Sequence, residues 1–174
     1  MRQALIIAGF NNWGKSTIIS DLFADREKFS YSRSYPMHAV TFNHTFIVQS
    51  QSNDDLTSMT YLDQISRRVA GTRDSGQNLI AALCPSLDER NNFSEVLSSP
   101  PFTTYDRLYL FLIEYKWDHH ARLMINNIRE AGQRIPNINF VIIDADRDLT
   151  DDHQRYQAKM EQIRRELTAI LGRP

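Results

Sequence analysis

Residues 4–17 read Ala-Leu-Ile-Ile-Ala-Gly-Phe-Asn-Asn-Trp-Gly-Lys-Ser-Thr. Three segments follow one another in this stretch. Ala4 to Ala8 is a continuous apolar run, the pattern of a strand buried on both faces. Gly9 to Gly14 is bounded by glycines, which allow backbone angles that a side chain obstructs. From Thr17 onward, Ile18, Ile19, Leu22 and Phe23 recur at helical spacing. A strand, a tight loop and a helix in this order aim the helix N-terminus at whatever lies above the strand. Free amides at such an end attract an anion.

The loop fits G-x-x-x-x-G-K-S/T in full from Gly9 to Thr17. It resembles the Walker A loop of P-loop nucleotide-binding proteins. That resemblance implies a cradle of main-chain amides around a triphosphate, formed by Gly9, Asn11, Asn12, Trp13, Gly14, Lys15, Ser16 and Thr17. Lys15 would bring a positive charge to the outer phosphates, and the Ser16 hydroxyl would ligate Mg²⁺. ATP or GTP is the expected nucleotide. Trp13 reads equally as a shield for the phosphates, a contact for a partner or ordinary packing.

A chain of 174 residues with 41% hydrophobic content suits one domain, residues 1–174, with a sizeable core. The net charge of -1 and the lack of a dense basic run argue against a polyanion-binding surface. Nucleic acid is therefore expected only as a local substrate. A protein partner or a homo-oligomer is left open. Cys84 is the one cysteine, which excludes an internal disulfide and suits a reducing cytosol. No signal-peptide layout and no membrane-length apolar run is present, so a cytoplasmic chain with no membrane partner is expected.

The rest of the chain alternates strands and helices. Val40–Phe42 and Thr45–Val48, flanking Asn43-His44, read as a hairpin. Leu56, Met59, Leu62, Ile65 and Val69 make one helical face, stopped by Gly71. Leu79–Leu83 is a strand ended by Cys84-Pro85, and a short helix carries Phe93, Val96 and Leu97. Leu108–Ile113 is an uninterrupted apolar strand. Asp118 is placed to cap a helix with Ala121, Met124, Ile125 and Ile128, ending at Gly132. Phe140–Ile143 is the last strand. Thr150 is placed to cap a final helix with Tyr156, Met160, Ile163, Leu167 and Ile170 inward. This pattern predicts an α/β chain: a three-layer α/β/α P-loop NTPase fold with a mostly parallel central sheet and one antiparallel hairpin strand. Chemistry is then expected at the carboxyl ends of the strands.

Asp54 and Asp55, in Gln-Ser-Asn-Asp-Asp after the Phe46–Val48 strand, are the candidate catalytic carboxylates. Asp54 is also a candidate for the Mg²⁺ shell. Ser52 with Asp55 also fits a capping box. Arg90 is a candidate for stabilising transferred phosphate; Arg67, Arg68 and Arg73 are weaker ones. Asp144, Asp146 and Asp148 read as residues leading into a helix, with Asp151 and Asp152 near its start. His119-His120 reads as the polar first turn of a helix, because adjacent residues do not share a face.

Two families share features with this layout. Small GTPases of the Ras type have a phosphate-loop strand, a helix, a flexible segment, a hairpin ending at an acidic residue and three further strands. Lys116-Trp117-Asp118 stands where that family has Asn-Lys-x-Asp, which implies Lys116 and Asp118 at a guanine base. Tyr115 replaces the Asn, and neither Asp54 nor Asp55 opens an Asp-x-x-Gly. Adenylylsulfate kinases are similar at Gln-Ser-Asn-Asp-Asp and Cys-Pro-Ser-Leu-Asp-Glu-Arg. The expected function is a slow Mg²⁺-dependent NTPase switch with Ser30–Pro36 as its moving piece. The alternatives are a kinase that passes the γ-phosphoryl to a small molecule or polynucleotide end, and a non-catalytic nucleotide sensor in a larger complex.

Overall fold

The computed structural model describes residues 1–24, 28–37, 40–72 and 77–172, and only the backbone of 41–43. Arg73 lies outside these residues. The elements in chain order are β1 (Gln3–Ala8), α1 (Lys15–Leu22), β2 (Tyr35–Met37), β3 (Thr41–Gln49), α2 (Ser58–Gly71) and β4 (Asn78–Leu83). They continue with α3 (Phe93–Leu97), a 3₁₀ turn at Phe102–Thr104, β5 (Arg107–Ile113), α4 (Ile125–Gly132), β6 (Ile138–Ile143) and α5 (Asp152–Leu171).

The strands form one six-stranded sheet in the order β2-β3-β4-β1-β5-β6. Only the β2–β3 pair is antiparallel. Every residue of β1 and β4 is buried, as are all of β5 but Arg107. Strands without an exposed face need cover on both sides, which is why their apolar runs do not alternate. This is compatible with a three-layer α/β/α arrangement. α1 and α5 lie together, joined by a hydrogen bond from Tyr156 Oη to Asp21 Oδ2. Tyr61 of α2 stacks on Phe102, and its hydroxyl donates to Ala82 O at 2.7 Å, so a fully buried phenol keeps a partner. Among the described residues no helix is long and apolar enough to cross a membrane.

The register sets the rim from which the site is built. Ala8 at the end of β1 pairs with Leu83 of β4 and Leu112 of β5, so β1 and β4 end level and β5 runs one residue further. Gly9 leaves β1 with its N–H on Leu83 O at 3.1 Å.

Several local expectations change. The antiparallel partner of β3 is β2, and β3 runs unbroken through Asn43 and His44, so these residues are not the turn of a hairpin. Thr41 and Thr45 on either side pair with β2, and the ladder takes up Phe42 to His44 as a register shift rather than a turn. The buried face of α2 is Tyr61, Ile65 and Arg68, while Met59 is 80% exposed. Thr57 caps that helix, accepting from Thr60 N, so the Ser52–Asp55 bonds close a separate turn. The fourth helix starts at Ile125, and Asp118 caps a turn by accepting from His120 N. Asp151, not Thr150, caps α5, accepting from Gln154 N at 2.9 Å.

Arg68 fastens the segment after α1. Its Nε donates to Gln49 Oε1 at 2.8 Å. Its Nη1 donates to the carbonyls of Phe29 and Ser30 at 3.0 and 3.2 Å. The guanidinium also lies 4.0 Å from the centre of the Tyr31 ring. Arg68→Ala leaves these acceptors unpaired and is expected to lower stability by about 2–4 kcal/mol in chemical denaturation. Limited proteolysis should then cut faster within residues 29–36. Unchanged cleavage there would show that the segment is held by something else.

Candidate functional site

The 9–17 loop is shaped by two left-handed residues, Asn12 at φ 61° and Gly14 at φ 81°. A Cβ at Gly14 would meet nothing within 4 Å, so backbone angle rather than space calls for glycine there. Gly9 is different: a Cβ on it would lie 3.2 Å from Trp13 Cβ. Trp13 folds back under the loop and is 5% exposed, edge-on to Phe10 at 5.6 Å. Packing therefore accounts for most of its surface.

Gly14 caps α1 with no side-chain hydrogen bond, and the first turn holds no acidic residue. The amides of that turn have no partner inside the helix. They open on a cavity of about 150 Å³, with Asn11, Asn12, Trp13, Gly14, Lys15 and Ser16 on one wall and Ser50 and Asp55 on the other. Positive helix-end potential and an uncapped turn suit an anion.

Lys15 is only 7% exposed. Its ammonium donates to Phe10 O at 2.8 Å and lies 3.8 Å from Asp54 Oδ2. Burial pulls its pKa below the ordinary lysine value, and Asp54 opposes that pull. Asp54 accepts from Ser52 Oγ through its other oxygen, while Oδ2 is buried without a hydrogen-bond partner. β4 lies between β1 and β3, so roughly 10 Å of sheet separates their ends. The loop after β3 curls back across that gap. Asn53 holds it there, donating to Cys84 O at 3.1 Å and to Asn91 Oδ1 at 2.8 Å, and accepting from Cys84 N at 2.6 Å. Burial, reinforced by Asp54, pushes the Cys84 thiol up to about 11, which keeps it a neutral packing group.

The residues present fit a magnesium ion. The Ser16 hydroxyl lies on the wall of the smaller cavity, and Asp54 Oδ2, 3.8 Å from Lys15, accepts no hydrogen bond. Among the described residues no cluster of three His, Cys, Asp or Glu forms a cage for a metal. Magnesium at a triphosphate is held by one or two such oxygens, the phosphates and water.

A second cavity, of about 410 Å³, shares Asn12, Trp13, Gly14 and Ser16 with the first. Thr17, Ile18, Trp117, Tyr156 and Lys159 complete its walls. The loop carrying Trp117 is a bridged turn, not a helix: Tyr115 pairs with Arg122, and His119 has φ 57°. Lys116 and Asp118 form an ion pair with each other at 3.0 Å and are not on the cavity walls. His119 is no first-turn helix residue; its Nε2 lies 2.8 Å from Asp146 Oδ2. Asp146 is fully buried and also pairs with Lys159 Nζ at 2.9 Å.

Arg90 is exposed and lines neither cavity; its main chain accepts from Ser58 Oγ. Arg67 pairs with Asp63 on the surface. Asp55 accepts from both the N–H and the Oγ of Ser52 at 3.1 Å while facing the smaller cavity. The sequence reading gives no site role to Ser50 or Lys159; it takes Tyr156 as an inward residue of the last helix and Trp117 as the middle of Lys116-Trp117-Asp118. Lys159 had left a trace: it stands three residues after Tyr156 and next to Met160, inside the inward arc of α5. The chain matches no protein-family model, no curated protein and no solved structure.

Proposed function

We propose that the chain binds a nucleoside triphosphate with Mg²⁺ at the 9–17 loop and hydrolyses it slowly. The fold reading that goes with this is a three-layer P-loop NTPase fold. One observation carries it: the buried Lys15 ammonium stands at the uncapped first turn of α1, ion-paired at 3.8 Å with an Asp54 oxygen that accepts no hydrogen bond. The ammonium spends one donor on Phe10 O and faces Asp54 only at 3.8 Å, so it keeps donor capacity for a further anion at the uncapped turn. The triphosphate supplies that anion. The first-turn amides, Lys15 and Ser16 would hold the phosphates and the metal, and Mg²⁺ would supply charge neutralisation on the γ-phosphoryl. No arginine lines either cavity among the described residues, so the charge developing at transfer gets little added stabilisation and turnover is slow. The tether from Arg68 limits how far residues 29–31 can act as a switch.

A second reading is favoured by the cavity between the two loops. Its far wall is Ser50 and Asp55. An acceptor hydroxyl placed there would pass its proton to Asp54 or Asp55 as its oxygen takes the γ-phosphoryl, leaving a nucleoside diphosphate. A nucleotide sensor without turnover is the third.

A thermal-shift panel with Mg²⁺ and ATP, GTP, CTP, UTP, their diphosphates and tripolyphosphate tests the first step. At a hundred times Kd the preferred triphosphate should raise Tm by about 5–10 °C. A panel without any shift would remove the proposal. γ-Labelled nucleotide then separates the readings: free phosphate marks a hydrolase, label on an acceptor marks a kinase, and intact nucleotide marks a sensor.

A further inference from the structure

We propose that the outer edge of β6 pairs with β6 of a second copy of this chain, antiparallel about a two-fold axis at Phe140, so that two sheets become one; this is independent of what the 9–17 loop holds. The two edges of the sheet differ. β2 is three residues long and contains Pro36, so it offers little to an incoming strand. β6 is six residues long, Ile-Asn-Phe-Val-Ile-Ile, with no charge and no proline to protect it.

The ladder fixes which main-chain groups face outward. Leu108 N donates to Asn137 O at 3.0 Å, and Glu114 N donates to Ile143 O at 2.9 Å. Alternate residues of a parallel strand face its neighbour, so Asn137, Asn139, Val141 and Ile143 bond to β5. The N–H and C=O groups of Ile138, Phe140 and Ile142 point the other way, where the sheet has no further strand. One of these six groups is met inside the chain: Gln162 Nε2 donates to Ile142 O at 2.9 Å. A two-fold at Phe140 sets Phe140 against its own copy and Ile138 against Ile142 of the second copy. Every outward N–H then finds a carbonyl, with Ile142 O using its second lone pair. The strand is its own complement.

Charge agrees with that pairing. Antiparallel strands bring the amino end of one to the carboxyl end of the other. Arg134, just before β6, and Asp148, just after it, are exposed, and neither has an ion pair among the described residues. The two-fold brings them toward each other twice. Six residues of edge are a small interface, and α4 enlarges it. That helix lies over β6: a Cβ on Gly132 would lie 2.7 Å from Phe140 Cζ. Its exposed Arg129 and Glu130, also without ion pairs, line an open cleft of about 340 Å³. The axis sets α4 antiparallel beside its copy, with opposite charges available across the seam. The outer edges of the joined sheet are then both the Pro36 strand, so assembly closes at two chains.

The test is sedimentation equilibrium of the intact chain from about 1 to 100 µM, with amide exchange at both ends of that range. The mass should approach twice the 20.2 kDa of one chain. The amides of Phe140 and Ile142 should be protected at the high concentration and exchange fast at the low one. The amide of Val141, which bonds to β5, should stay protected at both. Ile142→Pro removes an outward N–H and leaves the bonds to β5, so it should weaken the dimer about tenfold or more with the fold kept. Arg134→Glu should weaken it several-fold. A monomer at the highest concentration would overturn the proposal. So would a dimer whose Phe140 amide still exchanges fast, since another surface would then hold it. If Ile142→Pro does not fold, the exchange pattern of the unaltered chain still decides.

Discussion

Lys15→Ala is expected to abolish the thermal shift given by Mg²⁺ and triphosphate and to weaken binding by about 10²–10³-fold. The size follows from burial. The ammonium is 7% exposed, so its contact to phosphate is made out of water, where a charge-assisted bond is strongest. Little apo stability should be lost, because deleting the group also removes its desolvation penalty. Phe10 O keeps only the Trp13 N–H at 3.3 Å, and Asp54 loses a charge 3.8 Å away, which partly offsets that gain. Lys15→Arg should not rescue, since a planar fork does not replace a point charge in a cavity of about 150 Å³. Retention of binding within threefold in Lys15→Ala would place the triphosphate elsewhere.

The same residue sets a pH dependence. Only the charged amine binds the anion, and burial lowers its pKa in the free protein. Affinity should therefore fall as pH rises through that lowered pKa, before the ordinary lysine range is reached. Apo stability should move the other way. The unfolded chain holds this proton to higher pH than the folded chain does, so stability rises across the interval between the two values. Titration of binding and of chemical denaturation over the alkaline range checks both signs.

Asp54→Asn is expected to cut turnover about a hundredfold while triphosphate affinity changes by less than fivefold. The carboxylate oxygen Oδ2 is buried without a hydrogen-bond partner, and an amide in its place is a weak ligand for Mg²⁺ and no base for a proton. Asp55 faces the smaller cavity more directly, yet both its contacts with Ser52 close the 52–55 turn. Asp55→Asn should cost about 1 kcal/mol of stability with turnover kept. Single-turnover rates and denaturation midpoints for the two variants give the answer. Loss of turnover in Asp55→Asn with none in Asp54→Asn would exchange their roles.

Local pattern carried far in this chain. Ala4–Ala8 reads as a buried strand because its apolar run does not alternate, and it sits between β4 and β5 with every residue buried. Gly14 reads as a special backbone position, and its φ is 81°. The inward face of α5 holds as read at Met160, Ile163, Leu167 and Ile170. Errors gathered where long-range partners override local signals. Asn43-His44 reads as a turn until β2 and β4 pair with the strand that contains it. Asp118 reads as a helix cap until the Tyr115–Arg122 bridge claims the segment.

The sequence by itself determined the alternation of strands and helices, the special backbone at Gly14 and the chemical groups Lys15 and Ser16 beside it, because these follow from residues within a few positions of one another. Only tertiary structure decided that β4 lies between β1 and β3, that Asp54 turns back to Lys15, and that Lys159 of α5 meets Asp146 and Trp117 at one cavity. Those meetings depend on strand pairing and helix docking between residues tens of positions apart. Their free energy comes from burial and charge pairing that do not exist until the chain has closed on itself.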